Sequence, residues 1–277
     1  PGLFLVSNAL SVEEQIHWAS KAVEEYSTAE HNNLNNLSSL YEASSSAADE
    51  SNSADSQATG TGKQPSAVPS VVDLWKDSVS EEVPFQLFSK LRWSCLGYHY
   101  DWTKRMYQKN LKSEFPPDLS ALCSSIAKSA GLDLIVEAAI VNYYPAGASM
   151  GGHLDDAEHT LEKPIISISL GLSAIFLIGG RDRTVAPTPI LVRSGDAVIM
   201  SGESRYCFHG VPVILPADFQ PLPSDKDGLN QEKTLSDVGE KENVSMDMRE
   251  ERPRQYNTRA VVRYLQQARI NMNVRQV

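Results

Sequence analysis

The strictest pattern in this 277-residue chain is Arg269-Ile270-Asn271-Met272-Asn273-Val274-Arg275, which alternates polar and apolar at every step. A period of two is the signature of a strand with two unlike faces. Ile270, Met272 and Val274 face one way. Arg269, Asn271, Asn273 and Arg275 face the other. Two arginines and two asparagines on one face make a lining for something anionic, or else a sheet edge guarded by charge. Residues 134–215 are also β-rich. Leu134–Asn142, Pro164–Leu170, Ala174–Gly179, Ile190–Val192 and Ala197–Met200 are short runs separated by Gly, Pro or Asp. Many short strands with turn signals between them predict a mainly β protein with flanking helices (α+β), built on a double-sheet jelly-roll core.

Three helices frame this core. Ser11-x-x-Glu14 is a capping box ahead of Val12, Ile16, Ala19, Val23 and Tyr26, which predicts a helix over 11–26. A second is expected near 118–130, capped by Asp118 and stopped by Gly131. Residues 258–268 read as a third. Residues 42–70 are rich in Ser, Ala, Asp and Gly and cannot repay ordering entropy, so a disordered insert is expected there. Residues 217–253 read as a flexible acidic loop. The expected organisation is an N-terminal helical segment (1–30), an acidic Ser-rich insert (31–83), a substrate-recognition region (84–133) and a jelly-roll core (134–277).

The net charge of −10 argues against nucleic acid until its distribution is considered. Residues 84–215 carry 12 bases and 12 acids, while residues 31–83 carry 2 and 8. Within 90–112, Lys90, Arg92, Lys104, Arg105, Lys109 and Lys112 face Asp101 alone. Trp93, Tyr98, Tyr100, Trp102 and Tyr107 are interleaved with them. Aromatic rings that stack bases beside cations that hold phosphates suit single-stranded or flipped nucleotides. An amphipathic strand pair with its aromatics in the core explains the same pattern, and at least half of these rings are expected to be core. Three scattered cysteines without Cys-x-x-Cys fit a reducing, intracellular compartment. No apolar run is long enough for a membrane span. The sequence opens on Pro1 without a methionine, so a natural N-terminus with any targeting segment is expected to precede it.

His153-Leu154-Asp155 places two ligand types two residues apart, on one face if the segment is a strand. A distant strand must supply a third. His209, in Arg205-Tyr206-Cys207-Phe208-His209 ahead of a Gly-Val-Pro stop, is the candidate, and His159 is the alternative. Two histidines and a carboxylate form the facial triad of non-haem Fe(II) oxygenases, which leaves three metal positions open. Two polar residues in a surface loop explain a lone His-x-Asp equally well. Asn142 and Tyr144 form another polar pair at i, i+2 before the Pro145-Ala146-Gly147 turn.

Taken in order, Asn-x-Tyr (142–144), His-x-Asp (153–155), His209 and Arg-x-Asn-x-x-x-Arg (269–275) resemble the AlkB family of Fe(II)/2-oxoglutarate dioxygenases. Its homologue 1 branch is nearest, on Leu96-Gly97-Tyr98-His99-Tyr100, Lys163-Pro164, Ser194-Gly195-Asp196 and Met200-Ser201-Gly202. The resemblance covers about residues 85–215 and 256–277. It implies that His153, Asp155 and His209 hold Fe(II). It implies that Arg269, helped by Tyr144, pairs with the distal carboxylate of 2-oxoglutarate, that Arg275 and Asn142 meet the keto-acid end, and that Asn271 supports the pocket. O2 would take the remaining position, and hydroxylation of an N-methyl group would release formaldehyde.

The implied partner is nucleic acid, with tRNA (1-methyladenine, 5-methylcytosine) preferred and N6-methyladenine in single-stranded or flipped DNA as the other substrate. Trp93, Tyr98, Tyr100, Lys104, Arg105 and Glu158 are the expected substrate contacts. AlkB-type repair enzymes carry an acid two positions after the metal Asp, where this chain has Ala157 with Glu158 beside it. A monomer in the mitochondrion or nucleus is expected. A protein demethylase of the same fold and a non-catalytic binding module are the alternatives.

Overall fold

The alternating segment becomes the middle of the larger of two sheets. The structure, a computed structural model, describes residues 1–27, 91–216 and 258–277. Its strands are β1 (Leu3–Val6), β2 (Trp93–Asp101), β3 (Met106–Lys112), β4 (Ala138–Pro145), β5 (Met150–His153), β6 (Ile165–Gly171), β7 (Ala174–Ile178), β8 (Thr188–Val192), β9 (Ala197–Met200), β10 (His209–Ile214) and β11 (Ala268–Arg275). A seven-stranded sheet runs β1-β9-β6-β11-β4-β2-β3, and a four-stranded sheet runs β5-β10-β7-β8. Strand pairing among the described residues is antiparallel. Two such sheets with crossing connections make the expected jelly roll.

The two faces of β11 serve two environments. Ile270, Met272 and Val274 join a core with three helices, α1 (Val12–Glu24), α2 (Pro117–Ser129) and α3 (Thr258–Leu265). Trp18, Ala19, Ala22 and Val23 of α1 and Leu119, Cys123 and Ile126 of α2 supply the helical side of that core. A smaller core joins the sheets through Ile165, Phe176, Val192, Met200, Val211 and Ile214. Arg269, Asn271 and Arg275 are buried on the other, polar face.

The capping box forms as the sequence predicts. The Glu14 amide donates to Ser11 Oγ at 3.2 Å, and the Ser11 amide donates to Glu14 Oε2 at 2.7 Å. Four boundaries differ. Pro116 is the N-cap of α2, and Asp118 lies inside its first turn, because Pro117 is preset for the first helical position. The 134–142 strand shifts to 138–145, with the Glu137 amide donating to the Arg275 carbonyl just outside it. Gly210-Val211-Pro212 does not stop a strand. It lies within β10, where a register shift between Gly210 and Val213 absorbs the proline. Helix α3 ends at Leu265, and β11 already begins at Ala268. The expectations for 31–83 and 217–253, and Lys90, lie outside the described residues.

Candidate active site

His153 closes β5 and His209 opens β10, directly opposite each other across an antiparallel pair. Gly210 permits that proximity. A Cβ there would meet the Met150 carbonyl oxygen at 2.9 Å and the Gly151 carbonyl carbon at 3.1 Å. Each imidazole is oriented by a backbone carbonyl two residues earlier: His153 Nδ1 lies 2.9 Å from the Gly151 oxygen and His209 Nδ1 3.2 Å from the Cys207 oxygen. A carbonyl can only accept, so both rings carry their proton on Nδ1 and present a bare Nε2. Those atoms converge on Asp155, with His153 Nε2 at 3.8 Å from Oδ1 and His209 Nε2 at 3.7 Å from Oδ2. One ligand atom from each residue lies within 4.8 Å of the others. His159 is exposed and outside the cluster.

Asp155 stands beyond the end of β5 and not on the strand. Strand parity therefore does not aim it. Burial would raise its pKa, but Arg275 and then His209 and His153 outweigh burial and hold it below the ordinary value. Burial lowers the pKa of His209. At neutral pH the carboxylate is ionised and this imidazole is neutral, which is the protonation state that a metal ion requires. Two imidazoles and one carboxylate with ligand atoms this close together fit a divalent iron ion.

Arg269 supplies a second fit. It is 3 % exposed, and its Nη2 donates to Ser169 Oγ at 2.8 Å. Its Nε and Nη1 are buried with no hydrogen-bond partner among the described residues. Burial pulls its pKa down to about 10, with no carboxylate among the described residues to oppose it. A buried guanidinium with open N–H directions is poised for a planar carboxylate. Tyr144 pairs with it across β4 and β11, its ring centroid 5.9 Å from the guanidinium carbon. Burial pushes the Tyr144 phenol up to about 12, so it stays a donor. Asn142 and Asn273 line the cavity. Asn271 is committed to the framework through Ser167 Oγ at 2.7 Å and the Ile168 carbonyl at 3.1 Å.

Arg275 is placed differently. Its Nη1 donates to Glu158 Oε1 at 2.6 Å, its Nη2 lies 3.5 Å from Asp155 Oδ2, and its Nε has no partner among the described residues. Burial works against its charge, but Asp155, then Tyr107 and Glu158, hold its pKa above the ordinary value. Glu158, expected against substrate, is turned inward instead. Its side chain is 1 % exposed and also accepts from Arg205 Nη2 at 3.3 Å. Two arginines claim it, so no oxygen of it reaches the cavity wall. Arg205, which sequence reasoning passed over, donates to the Asp155 carbonyl at 3.1 Å and the Lys163 carbonyl at 3.0 Å. The available signal was an arginine four residues before a candidate ligand within an otherwise apolar stretch.

Of these groups His153, Asp155, Asn142 and Arg275 line a cavity of about 360 Å³, walled by Tyr100, Trp102 and Arg105 from the β2–β3 hairpin. Trp93 and Tyr98 are not among its lining residues. Trp93 packs on Trp102 with centroids 5.2 Å apart, and Tyr98 lies under the Lys112 ammonium at 4.3 Å. Among the five rings only Tyr107 is buried, fewer than expected. Trp102 is 44 % exposed. Lys104 lies 3.6 Å from Asp101, and Arg105 reaches Asp156 at 3.5 Å. Another cavity, of about 440 Å³, has a mostly apolar lining that includes Met150, Leu177, Val185 and Phe208. It is lined by His209 but by neither His153 nor Asp155, and it meets the smaller cavity at Met150 and Gly151; the smaller one holds two of the three converging ligands and Arg275.

Comparison with known proteins agrees with this geometry. A family model described as the 2OG-Fe(II) oxygenase superfamily matches residues 2–275. The chain is 32% identical over 287 residues to the DNA N(6)-methyladenine demethylase ALKBH1A of Arabidopsis thaliana, covering 100% of this chain and 75% of that protein. It is 38% identical to the human nucleic acid dioxygenase ALKBH1, covering 74% of this chain and 53% of that protein. It is 41% identical to the tRNA demethylase abh1 of Schizosaccharomyces pombe, covering 53% of this chain and 50% of that protein. The alignments thus span about half the length of the human and yeast relatives. A solved structure described as that of OsALKBH1 matches with a TM-score of 0.55 at 17% identity, covering 100% of this chain and 97% of that one, a likeness of fold.

Proposed function

Because the chain belongs to the 2OG-Fe(II) oxygenase superfamily, and within it to the AlkB family, we propose that it oxidises methylated bases in nucleic acid, with tRNA preferred over DNA. The family's cofactors are Fe(II), 2-oxoglutarate and O2. When bound, they supply the oxidation of a methyl C–H coupled to decarboxylation of 2-oxoglutarate to succinate. An N-hydroxymethyl product then sheds formaldehyde.

The observation that carries this reading is the convergence of His153, Asp155 and His209, together with the buried Nε and Nη1 of Arg269, which have no partner among the described residues, on the face of β11 from which Arg275 reaches Asp155. In this reading His153 and His209 bind the metal through Nε2, and their Nδ1–H bonds to carbonyls fix the tautomer. Asp155 supplies the carboxylate. Arg269 takes the distal carboxylate of 2-oxoglutarate, with the Tyr144 phenol as a further donor. Asn142 and the Nε of Arg275 serve the keto-acid end. The hairpin wall excludes water, with Tyr100 and Trp102 meeting the base and the Lys104 and Arg105 side chains reaching for phosphates.

The relatives named above act on DNA and tRNA, which supports nucleic acid over protein. The discriminating experiment measures succinate from 2-oxoglutarate with a 1-methyladenine-bearing tRNA, an N6-methyladenine oligonucleotide and a methyl-lysine histone peptide. The tRNA is expected to give the fastest turnover. Turnover on the peptide alone overturns the substrate class. No turnover with any of the three, in protein that binds Mn(II) and 2-oxoglutarate, favours a binding module.

A further inference from the structure

We propose that Glu158 is a positioning residue for the metal carboxylate. By clamping the two arginines that flank Asp155, it keeps one oxygen of Asp155 free. The inference rests on the metal-centre reading above. Glu158 lies three residues past Asp155 in the irregular stretch between β5 and β6. Its two oxygens are divided between two guanidiniums, Oε1 taking Arg275 Nη1 at 2.6 Å and Oε2 taking Arg205 Nη2 at 3.3 Å. Both arginines then reach on to Asp155 from different directions. Arg205 Nη1 holds its backbone carbonyl at 3.1 Å, and Arg275 Nη2 stands 3.5 Å from its Oδ2. The ring Asp155–Arg275–Glu158–Arg205–Asp155 is closed and contains two cations and two anions.

This closure decides how Arg275 treats Asp155. A buried guanidinium takes a carboxylate through both of its outer nitrogens when it can. Asp155 would then lose both oxygens to that fork. With Glu158 occupying Nη1, the end-on fork is denied to Asp155; Nε meets no partner among the described residues, so Asp155 is approached by Nη2 alone, at 3.5 Å from Oδ2. Oδ1, which faces His153 Nε2 at 3.8 Å, stays unclaimed by either arginine. Arg205 adds the backbone half of the same alignment. It fixes the carbonyl of a residue that no strand positions, and anchors the far side of the loop at the Lys163 carbonyl. Glu158 is thus a counter-ion that stops a necessary arginine from competing with the metal.

A stability role alone makes a different prediction. It would let Glu158→Gln melt earlier while the folded molecules bound metal normally. The test is Mn(II) binding to the whole chain, without 2-oxoglutarate or substrate, followed by electron paramagnetic resonance well below the melting temperature of each variant. Glu158→Gln is expected to weaken Mn(II) binding about ten- to a hundredfold, the usual range for groups that orient metal ligands. Glu158→Asp should recover part of the loss. Arg205→Lys keeps the charge but not the fork onto the Asp155 carbonyl, so it should show a smaller loss of the same kind. Wild-type Mn(II) affinity in folded Glu158→Gln overturns the proposal. If that variant does not fold, wild-type affinity in Arg205→Lys overturns it instead. His153→Ala runs alongside, and undiminished Mn(II) binding there would remove the metal-centre reading itself.

Discussion

The two ends of β11 carry the same residue on the same face, roughly 20 Å apart by strand rise, and they are unlike. Arg269 has one hydroxyl partner, two idle N–H groups and a pKa pulled down by burial. Arg275 is braced by Glu158 and Asp155, and its charge is held up. In the proposed function Arg269 is the receptor and Arg275 a brace with one donor to spare. Chemical type and strand parity cannot make that distinction. The neighbours make it: Ser169 and Tyr144 are neutral, while Asp155 and Glu158 are anions.

The largest contrast should appear in the metal-free, ligand-free protein. Arg275→Met leaves Glu158 and Asp155 short of a buried partner and should cost about 3–5 kcal/mol in urea unfolding. Arg269→Met removes a cation that burial already disfavours. It should leave stability unchanged or raise it, by up to on the order of 3 kcal/mol. Equal losses from the two variants would erase the distinction.

Binding of 2-oxoglutarate to the Mn(II) form sharpens the contrast in the other direction. Arg269→Lys keeps charge and loses the planar fork, so its dissociation constant should rise about ten- to a hundredfold, from an interaction of roughly 1.5–3 kcal/mol. Arg275→Lys should lose less, because an ammonium still neutralises Asp155 and Glu158. Calorimetric titration of both variants against wild type would show the order, and a reversed order would exchange their roles.

Acid should act on the ligands before it acts on either arginine. The folded pKa of His209 is depressed, so its neutral form is the native one and the apo protein loses stability as pH falls through the unfolded value near 6.5. Asp155 is depressed as well. Its contribution is complete above the unfolded carboxylate value and goes only as pH falls through the folded one. Mn(II) affinity measured from pH 7.5 to 5 should therefore weaken with a midpoint below about 6.5. A midpoint at or above that value would contradict the depressed imidazole.

The smallest effects belong to the exposed cations, which extend the comparison to solvent. Lys104→Ala and Arg105→Ala should each lower the salt slope of tRNA binding by about one unit, for all sequences alike. Trp102→Ala should instead weaken binding by roughly 1–3 kcal/mol with little change of slope if the ring stacks on a base. Salt-independent tRNA binding by the wild type would remove the hairpin from the interface.

Much of this was legible in the chain because alternation and spacing are local. The period of β11 placed Arg269, Asn271, Asn273 and Arg275 on one face, and the Ser11–Glu14 box set the start of α1. Parity failed where strands are irregular. The register of β2 against β3 shifts between Tyr98 and Tyr100, so counting by twos could not tell that Tyr100, and not Tyr98, lines the cavity. Asp155 and Glu158 lie past the end of β5, where spacing gives no direction at all. Arg205 was missed for a related reason, since its importance comes from carbonyls at 155 and 163 that only the folded loop brings to it.

The position of β11 also bears on how the molecule is made. This strand comes last among those described, yet it lies between β4 and β6, bonded to both along nearly its whole length. Before it emerges from the ribosome, β4 and β6 present two open edges to each other across a gap one strand wide. Neither can satisfy its backbone until residues 268–275 arrive, and unpaired edges invite foreign strands. The nascent chain therefore carries two unfinished half-sheets from the completion of β6 at Gly171 until β11 begins at Ala268. The strand that ends that exposure is the same one that delivers Asn273 and Arg275 to the cavity.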